Sequence, residues 1–511
     1  MSTLSAGAAV PEAARSSREG HHFGWVAVVR LGLVQACLGA VVVMTTSTLN
    51  RVMVVELALP ALVPGLLVAL HYVLQLARPR MGHGSDVGGR RTPWILGGQT
   101  VLAIGGLLAA VATAWMSTSR GAGLALAVLG FALIGLGVSA AGTSLLVLLA
   151  KRVAPERRAA AATVVWVMMI MGFAVTAGLA GRLLDPYSPV RLVAVMAGVC
   201  SLALLITAVA LWRLEGRAAP TGRADPTDSG DLSHMAMQSR PSAGDAVQAT
   251  DAVPTKPRFR EALAQVWSEP DARRFTVFVF LSMLAYSAQD LILEPFAGSV
   301  FGFTPGQSTS LSGLQHAGVL VGMLMAGLAG NRVAGRSFGS LKAWTVGGCL
   351  ASALAMGSLV AGGLIGPPYP FTATVFVLGV ANGAFSIAAI GSMMRLASQG
   401  GSGREGVRMG LWGAAQAIAF GFGGLLGTAA SDLAHALLGS SAAAYASVFA
   451  LEGLLFIVAA VLALRIEAPR GASGASAAPP SPLPPSAVAG RDPASMREAS
   501  TSRAAELPAT H

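Results

Sequence analysis

Residues 82–91 read Gly82-His83-Gly84-Ser85-Asp86-Val87-Gly88-Gly89-Arg90-Arg91, and they join two apolar runs near 57–78 and 94–116. The glycines Gly82 and Gly89 permit a tight reversal and close helix contact. Asp86 suits a helix N-terminus, and Arg90 and Arg91 hold a loop on one side of a membrane. A weaker copy recurs between later apolar runs as Gly327-Leu328-Ala329-Gly330-Asn331-Arg332-Val333-Ala334-Gly335-Arg336. There Asn replaces Asp and the second glycine is displaced by one. A loop repeated in the second half of the chain predicts two related bundles.

Composition sets the solvent of those bundles. The chain of 511 residues is 54% hydrophobic and only 12% charged, about half the charge of a soluble domain. Its apolar runs reach 20 residues or more, enough to cross roughly 30 Å of hydrocarbon. The net charge of +11 would suggest nucleic acid in a soluble protein. Here the Lys and Arg sit mainly in alternate loops, so they read as topogenic charges and no nucleic-acid partner is expected. Cys37, Cys200 and Cys349 lie inside apolar segments without a CxxC pair, so neither a disulfide framework nor a metal site is expected.

Twelve spans are predicted, near 28–49, 57–78, 94–116, 122–150, 162–184, 191–213, 275–298, 309–333, 340–365, 371–396, 408–432 and 443–465. They divide the chain into a disordered N-terminus 1–27, an N-terminal six-helix bundle 28–213, a linker 214–273, a C-terminal six-helix bundle 274–466 and a disordered tail 467–511 rich in Ala, Ser and Pro. The first run is too long for a signal peptide and reads as a retained span. Basic residues cluster in loop 2–3, in loop 4–5 (Lys151, Arg152, Arg157, Arg158), in loop 8–9 (Arg332, Arg336, Lys342) and in loop 10–11 (Arg395, Arg404, Arg408). The positive-inside rule therefore places both termini and the linker in the cytoplasm.

Polar residues within the spans mark candidate sites. Asp290 and Glu294, four apart on span 7, share a helix face. Such carboxylates need a partner or a water-filled cavity. The two readings are a solvated interfacial pair and a gate at the cavity mouth. Arg51, taken to close span 1, is the candidate basic partner for a periplasmic gate of Arg51 with Asp290 or Glu294. Asn50, His71, Gln289 and His316 are candidate ligand contacts. A neutral imidazole can hold the magnesium of a chlorin, and it can equally hydrogen-bond to a neighbouring helix. No Walker loop, zinc spacing or Gly-x-Ser-x-Gly elbow occurs, so an enzyme is not expected.

The loop 2–3 pattern fits the G-x-x-x-D-x-x-G-R-R signature of the major facilitator superfamily. Three strings are more specific: Arg30-Leu31-Gly32-Leu33-Val34-Gln35, the run Thr48–Glu56, and the run Asp290–Gly302 followed by Thr309. With these, the chain from about Arg30 to Ile466 resembles the bacteriochlorophyll-delivery branch of that superfamily, the proteins of light-harvesting complex assembly. The stretch Leu70–Arg80 looks like a particular subgroup, one serving pigment synthesis or handling. The resemblance implies a fold of 12 helices in two pseudo-symmetric bundles, with spans 1 and 7 lining a cavity. It makes Gly82, Asp86, Gly89, Arg90 and Arg91 a conformational latch between the halves. It implies a multi-pass protein of a bacterial photosynthetic inner membrane that supplies or inserts bacteriochlorophyll. No tightly bound cofactor is expected, with bacteriochlorophyll or a precursor as ligand. The implied partners are the lipid bilayer, the pigment, and light-harvesting subunits or chlorin-synthesis enzymes. The alternatives are a proton-coupled transporter of another small amphiphile and a structural scaffold for antenna subunits.

Overall fold

The computed structural model describes residues 23–78, 81, 90–215, 264–265, 267–330, 340–399 and 405–466. The expected linker 214–273 lies mostly outside them, as does the N-terminus 1–27, and the tail 467–511 lies wholly outside. Latch residues Gly82, Asp86 and Gly89 also fall outside the described residues.

The described residues form twelve main helices: α1 Trp25–Glu56, α2 Leu62–Ala77, α3 Thr92–Trp115, α4 Arg120–Arg152, α5 Arg158–Leu184, α6 Pro189–Leu211, α7 Pro270–Phe301, α8 Pro305–Gly330, α9 Leu341–Ile365, α10 Phe371–Gln399, α11 Glu405–Leu438 and α12 Ser441–Arg465. Eleven are long and apolar enough to cross a membrane, and α2 is the shorter apolar one. Large apolar side chains such as Val190, Leu354 and Leu437 face outward. In lipid this is no penalty, because the surrounding chains are as apolar as leucine.

The α1–α6 half has one hydrophobic core, including Leu31, Leu102 and Phe131. The α7–α12 half has another around Phe278, Phe296, Phe385 and Phe449. The halves meet along two seams, α5 against α8 and α2 against α11. Both seams depend on missing side chains. A Cβ on Gly313 of α8 would lie 2.6 Å from the Gly178 backbone nitrogen on α5, and one on Gly65 of α2 would collide with the Thr428 hydroxyl on α11. Ile170, Val319 and Met323 fill the first seam.

The first helix departs from its expected end. Span 1 was expected to close near residue 49, yet α1 continues to Glu56. It changes to π-helical winding at Met44–Leu49 and again at Val52–Glu56. The change begins where the hydroxyls of Thr45 and Thr46 both donate to the Val42 carbonyl, at 2.7 and 3.1 Å. That carbonyl is thereby drawn from its helical duty. Polar residues 45–51 are therefore inside the bundle rather than at its rim, and the second helix starts at Leu62 instead of 57.

Candidate functional site

The odd-numbered loops, 1–2, 5–6, 7–8 and 11–12 among them, gather at one end of the molecule, here called the odd-loop face. Near it, α7 carries Pro295 in its interior. Proline has no N–H, so the Leu291 carbonyl one turn earlier loses its helical donor. Asn50 of α1 supplies the replacement, its Nδ2 donating to the Leu291 oxygen at 2.7 Å. Next to it, Ser47 of α1 donates to Glu294 of α7. The hydroxyls of Thr48 and Thr309 meet at 3.0 Å, joining α1 to α8.

Arg51 is only 2% exposed. Its Nη1 pairs with Glu56 at 2.6 Å, its Nη2 donates to the Phe303 carbonyl at 2.6 Å, and its Nε donates to Ser308 at 3.3 Å. The expected pair of Arg51 with Asp290 or Glu294 is thus corrected: among the described residues its carboxylate partner is Glu56. In a π-helix residue i bonds to i+5, and that winding carries Glu56 over Arg51. Arg51 still joins the halves, through a backbone carbonyl and a hydroxyl.

Two aspartates that the sequence reading passed over complete the closure. Asp185, just past α5, accepts from the Thr304 hydroxyl at 2.7 Å and from the Gly306 N–H at 3.2 Å. Asp432 of α11 accepts from the N–H groups of Ala61 and Leu62 at 2.8 and 2.7 Å. Each carboxylate thus caps the N-terminus of a helix in the opposite half, α8 and α2 respectively. The positive end of the helix dipole and its orphan N–H groups favour the anion there. Helices α5 and α11 occupy equivalent places in the two halves, as do α8 and α2, so the two caps are one device used twice. Beside the Asp185 cap opens a cleft of 750 Å3, whose walls include Arg51, Glu56, Asp185, Tyr187 and Phe303.

Deeper in, Asp290 faces Tyr72 of α2, Tyr286 of its own helix and Glu452 of α12, all within electrostatic reach. Glu294 and Glu452 are 3% and 2% exposed. One oxygen of Asp290, one of Glu294 and both of Glu452 are buried without a hydrogen-bond donor. An ionised carboxylate in the middle of a bilayer costs about 2.5–3.5 kcal/mol on insertion scales. Gln289 is fully buried, and neither its amide nitrogen nor its oxygen has a partner.

The two candidate histidines differ. His71 is buried, its Nε2 lies 2.8 Å from the Gln75 amide nitrogen, and its ring lies 4.7 Å from that of Tyr72. Rings then continue across the seam from Tyr72 to Phe420 at 6.1 Å and on to Tyr286 at 5.9 Å. His316 of α8 places Nδ1 2.8 Å from the Ser312 carbonyl. A carbonyl only accepts, so Nδ1 carries the proton and Nε2 presents the lone pair in the neutral ring. Phe173 of α5 packs edge-on against it at 5.0 Å.

Of the expected latch, Arg90 and Arg91 are described. Glu215, past α6, accepts from the backbone N–H of Arg91 at 3.0 Å and from the N–H and hydroxyl of Thr92 at 2.7 and 2.6 Å. It thereby caps α3 from the same half.

A profile described as PUCC protein matches residues 48–471. The chain is 52% identical over 450 residues to the "Bacteriochlorophyll synthase 44.5 kDa chain" of Rhodobacter capsulatus, covering 88% of this chain and 97% of that protein. It is 28% identical to "Protein PucC" of the same organism, over 86% of this chain and 91% of the other. Among solved structures, the D-xylose-proton symporter superposes with a TM-score of 0.60 at 13% identity, covering 87% of this chain and 98% of that one. That likeness shows the fold alone, which is the two-bundle major-facilitator architecture expected from the sequence.

Proposed function

Because this chain belongs to the PUCC protein family, we propose that it is a pigment-handling factor that supplies or inserts bacteriochlorophyll, or a precursor, while photosynthetic complexes are built. The observation that carries this reading is the identity to a relative named for bacteriochlorophyll synthesis, along nearly the whole length of both chains. The fold is a transporter's, and among the described residues the hydrogen-bonded polar groups at the odd-loop face cap helices and join the bundles. We therefore read the chain as a non-enzymatic partner of chlorin-synthesis enzymes or antenna subunits.

The interior supports this chemistry. The tier Tyr72, Phe420 and Tyr286 offers flat faces to a flat macrocycle. Of the two histidines, His316 is the better magnesium ligand. A ligating imidazole donates its other N–H to an outer partner, and the Ser312 carbonyl is that partner. His71 would first have to release Gln75. Asn50 and Gln289 stand close to the carboxylates as further polar contacts, Asn50 already committed to α7.

In this reading the odd-loop face is periplasmic, and both termini and the linker are cytoplasmic, in a bacterial inner membrane. The loop from Gly82 to Arg91 acts as the cytoplasmic latch, with Asp86 as its acidic element. The experiment is purification of the tagged chain from a pigmented host. Stoichiometric chlorin in the purified protein supports the reading. Pigment-free protein from such a host, with unchanged antenna assembly in its absence, contradicts it.

A further inference from the structure

The charges inside the spans do not balance. Arg51 is matched by Glu56. Arg51 also lies within electrostatic reach of Glu294, yet Asp290, Glu294 and Glu452 form no ion pair among the described residues, and one oxygen of Asp290, one of Glu294 and both of Glu452 lack a donor. The groups facing them from each packed helix do not alter this. From α1 come Ser47, Asn50 and the Arg51–Glu56 pair; from α2 comes Tyr72. From α8, Ser312 faces Glu294, while His316 is turned to Phe173. From α11, Asp432 is held by the N-terminus of α2, and His435 lies against Tyr445 of α12. Helix α10 has no ionisable side chain before Arg395.

A second observation points to the missing ligand. Asn50 is fully buried and fixed against α7 by its Nδ2, while its Oδ1 has no donor. Gln289 beside Asp290 is likewise buried, with neither its amide oxygen nor its amide nitrogen filled. A protonated carboxyl offers an O–H to orphan acceptors such as Asn50 Oδ1 and a carbonyl oxygen to an orphan amide N–H, whereas a carboxylate offers no donor. We propose that Asp290, Glu294 and Glu452 form a proton-binding site between α1, α7 and α12, whose occupancy holds the odd-loop face closed.

The physical cycle is short. With the face closed, Glu294 is buried and sealed by Ser47 and keeps its proton, because Arg51, the cation within its reach, is already paired with Glu56. When α1 parts from α7, water reaches the carboxyl, its O–H bond breaks, and the proton leaves to that side. Reclosing requires a new proton. Acid therefore favours the closed form and alkali the open one. This inference concerns the driving ion and does not depend on the cargo being a pigment.

The test uses the full chain in lipid nanodiscs, with spin labels on Thr118→Cys and Ser440→Cys in the exposed odd loops of the two halves. The native cysteines are buried. At neutral pH the infrared spectrum should show the carbonyl stretch of protonated carboxyls, and Glu294→Gln, Asp290→Asn and Glu452→Gln should each remove part of it. Raising the pH should abolish the band and lengthen the label distance in the wild type. Glu294→Gln should stay at the short distance throughout. Wild-type protein with no such band at neutral pH overturns the proposal, whatever the variants do. So does a distance that ignores pH, or one that follows bound sodium instead. Missing pigment would count against the cargo reading and leave these signals untouched.

Discussion

Asn50 of α1 donates to the Leu291 carbonyl of α7, the one carbonyl that Pro295 strips of its helical donor. The carbonyl left open in one half is thus satisfied by the other half, and only while the two are closed at that end. Asn50→Ala should leave a buried carbonyl unsatisfied, at a cost of about 1–3 kcal/mol. In a Pro295→Ala background, residue 295 again has an N–H for Leu291, and the same Asn50→Ala change should cost clearly less. Thermal unfolding of the four proteins in detergent gives the cycle. Equal costs in both backgrounds would show that the Asn50 bond is incidental.

The sequence carried the fold because lipid leaves few choices: apolar runs must be helices, and the duplicated loop tells how they are grouped. The end of span 1 was misplaced for a physical reason. Thr45, Thr46, Ser47, Thr48, Asn50 and Arg51 look like a rim, yet they are buried or partly buried inside α1 because the second half supplies most of their partners. Arg51 and Glu56 are five apart, a spacing that brings no pair together in an α-helix. Only the π winding made them neighbours. Asp185 and Asp432 looked like ordinary loop and helix-end carboxylates. Their targets are backbone N–H groups of distant helices, which no spacing rule reveals. What could have found them is their equivalence: one acid near the odd-loop end of the fifth helix in each half.

Those two caps lead to a second prediction. Asp185→Ala and Asp432→Ala should each weaken closure of the odd-loop face, by the roughly 0.5–2 kcal/mol typical of a lost N-cap. The double variant should open it further than either alone. Distance distributions between labels at positions 118 and 440 report this directly. A double variant as closed as the wild type would show that the caps are not what holds the face.

Glu215 provides a pH test at the other end. Burial opposes its ionisation, but the Thr92 hydroxyl, the N–H groups of Thr92 and Arg91, and nearby Arg90 together outweigh it and hold its carboxyl below the usual value. A carboxyl lowered on folding contributes stability above its unfolded value, and that contribution is lost as pH falls through the folded one. Wild type and Glu215→Gln should therefore differ in melting temperature at neutral pH and converge in acid below the ordinary carboxylate range. A difference that persists unchanged in acid would assign the effect to packing.

The histidines separate by variant. His316→Leu should remove co-purified chlorin, while His71→Leu should retain most of it and lose stability through the orphaned Gln75. Absorption per mole of purified chain is the readout. The reverse ranking would move the magnesium ligand to α2.

The most direct measurement of the central claim is the near-infrared absorption of membranes from a strain lacking this chain, complemented either by the wild type or by Glu294→Gln. The account predicts that loss of the chain depletes pigment in assembled photosynthetic complexes. It predicts recovery with the wild type, and little recovery with a variant locked closed at the odd-loop face. Unchanged pigment–protein bands in the deletion strain would contradict a role in supplying or inserting bacteriochlorophyll.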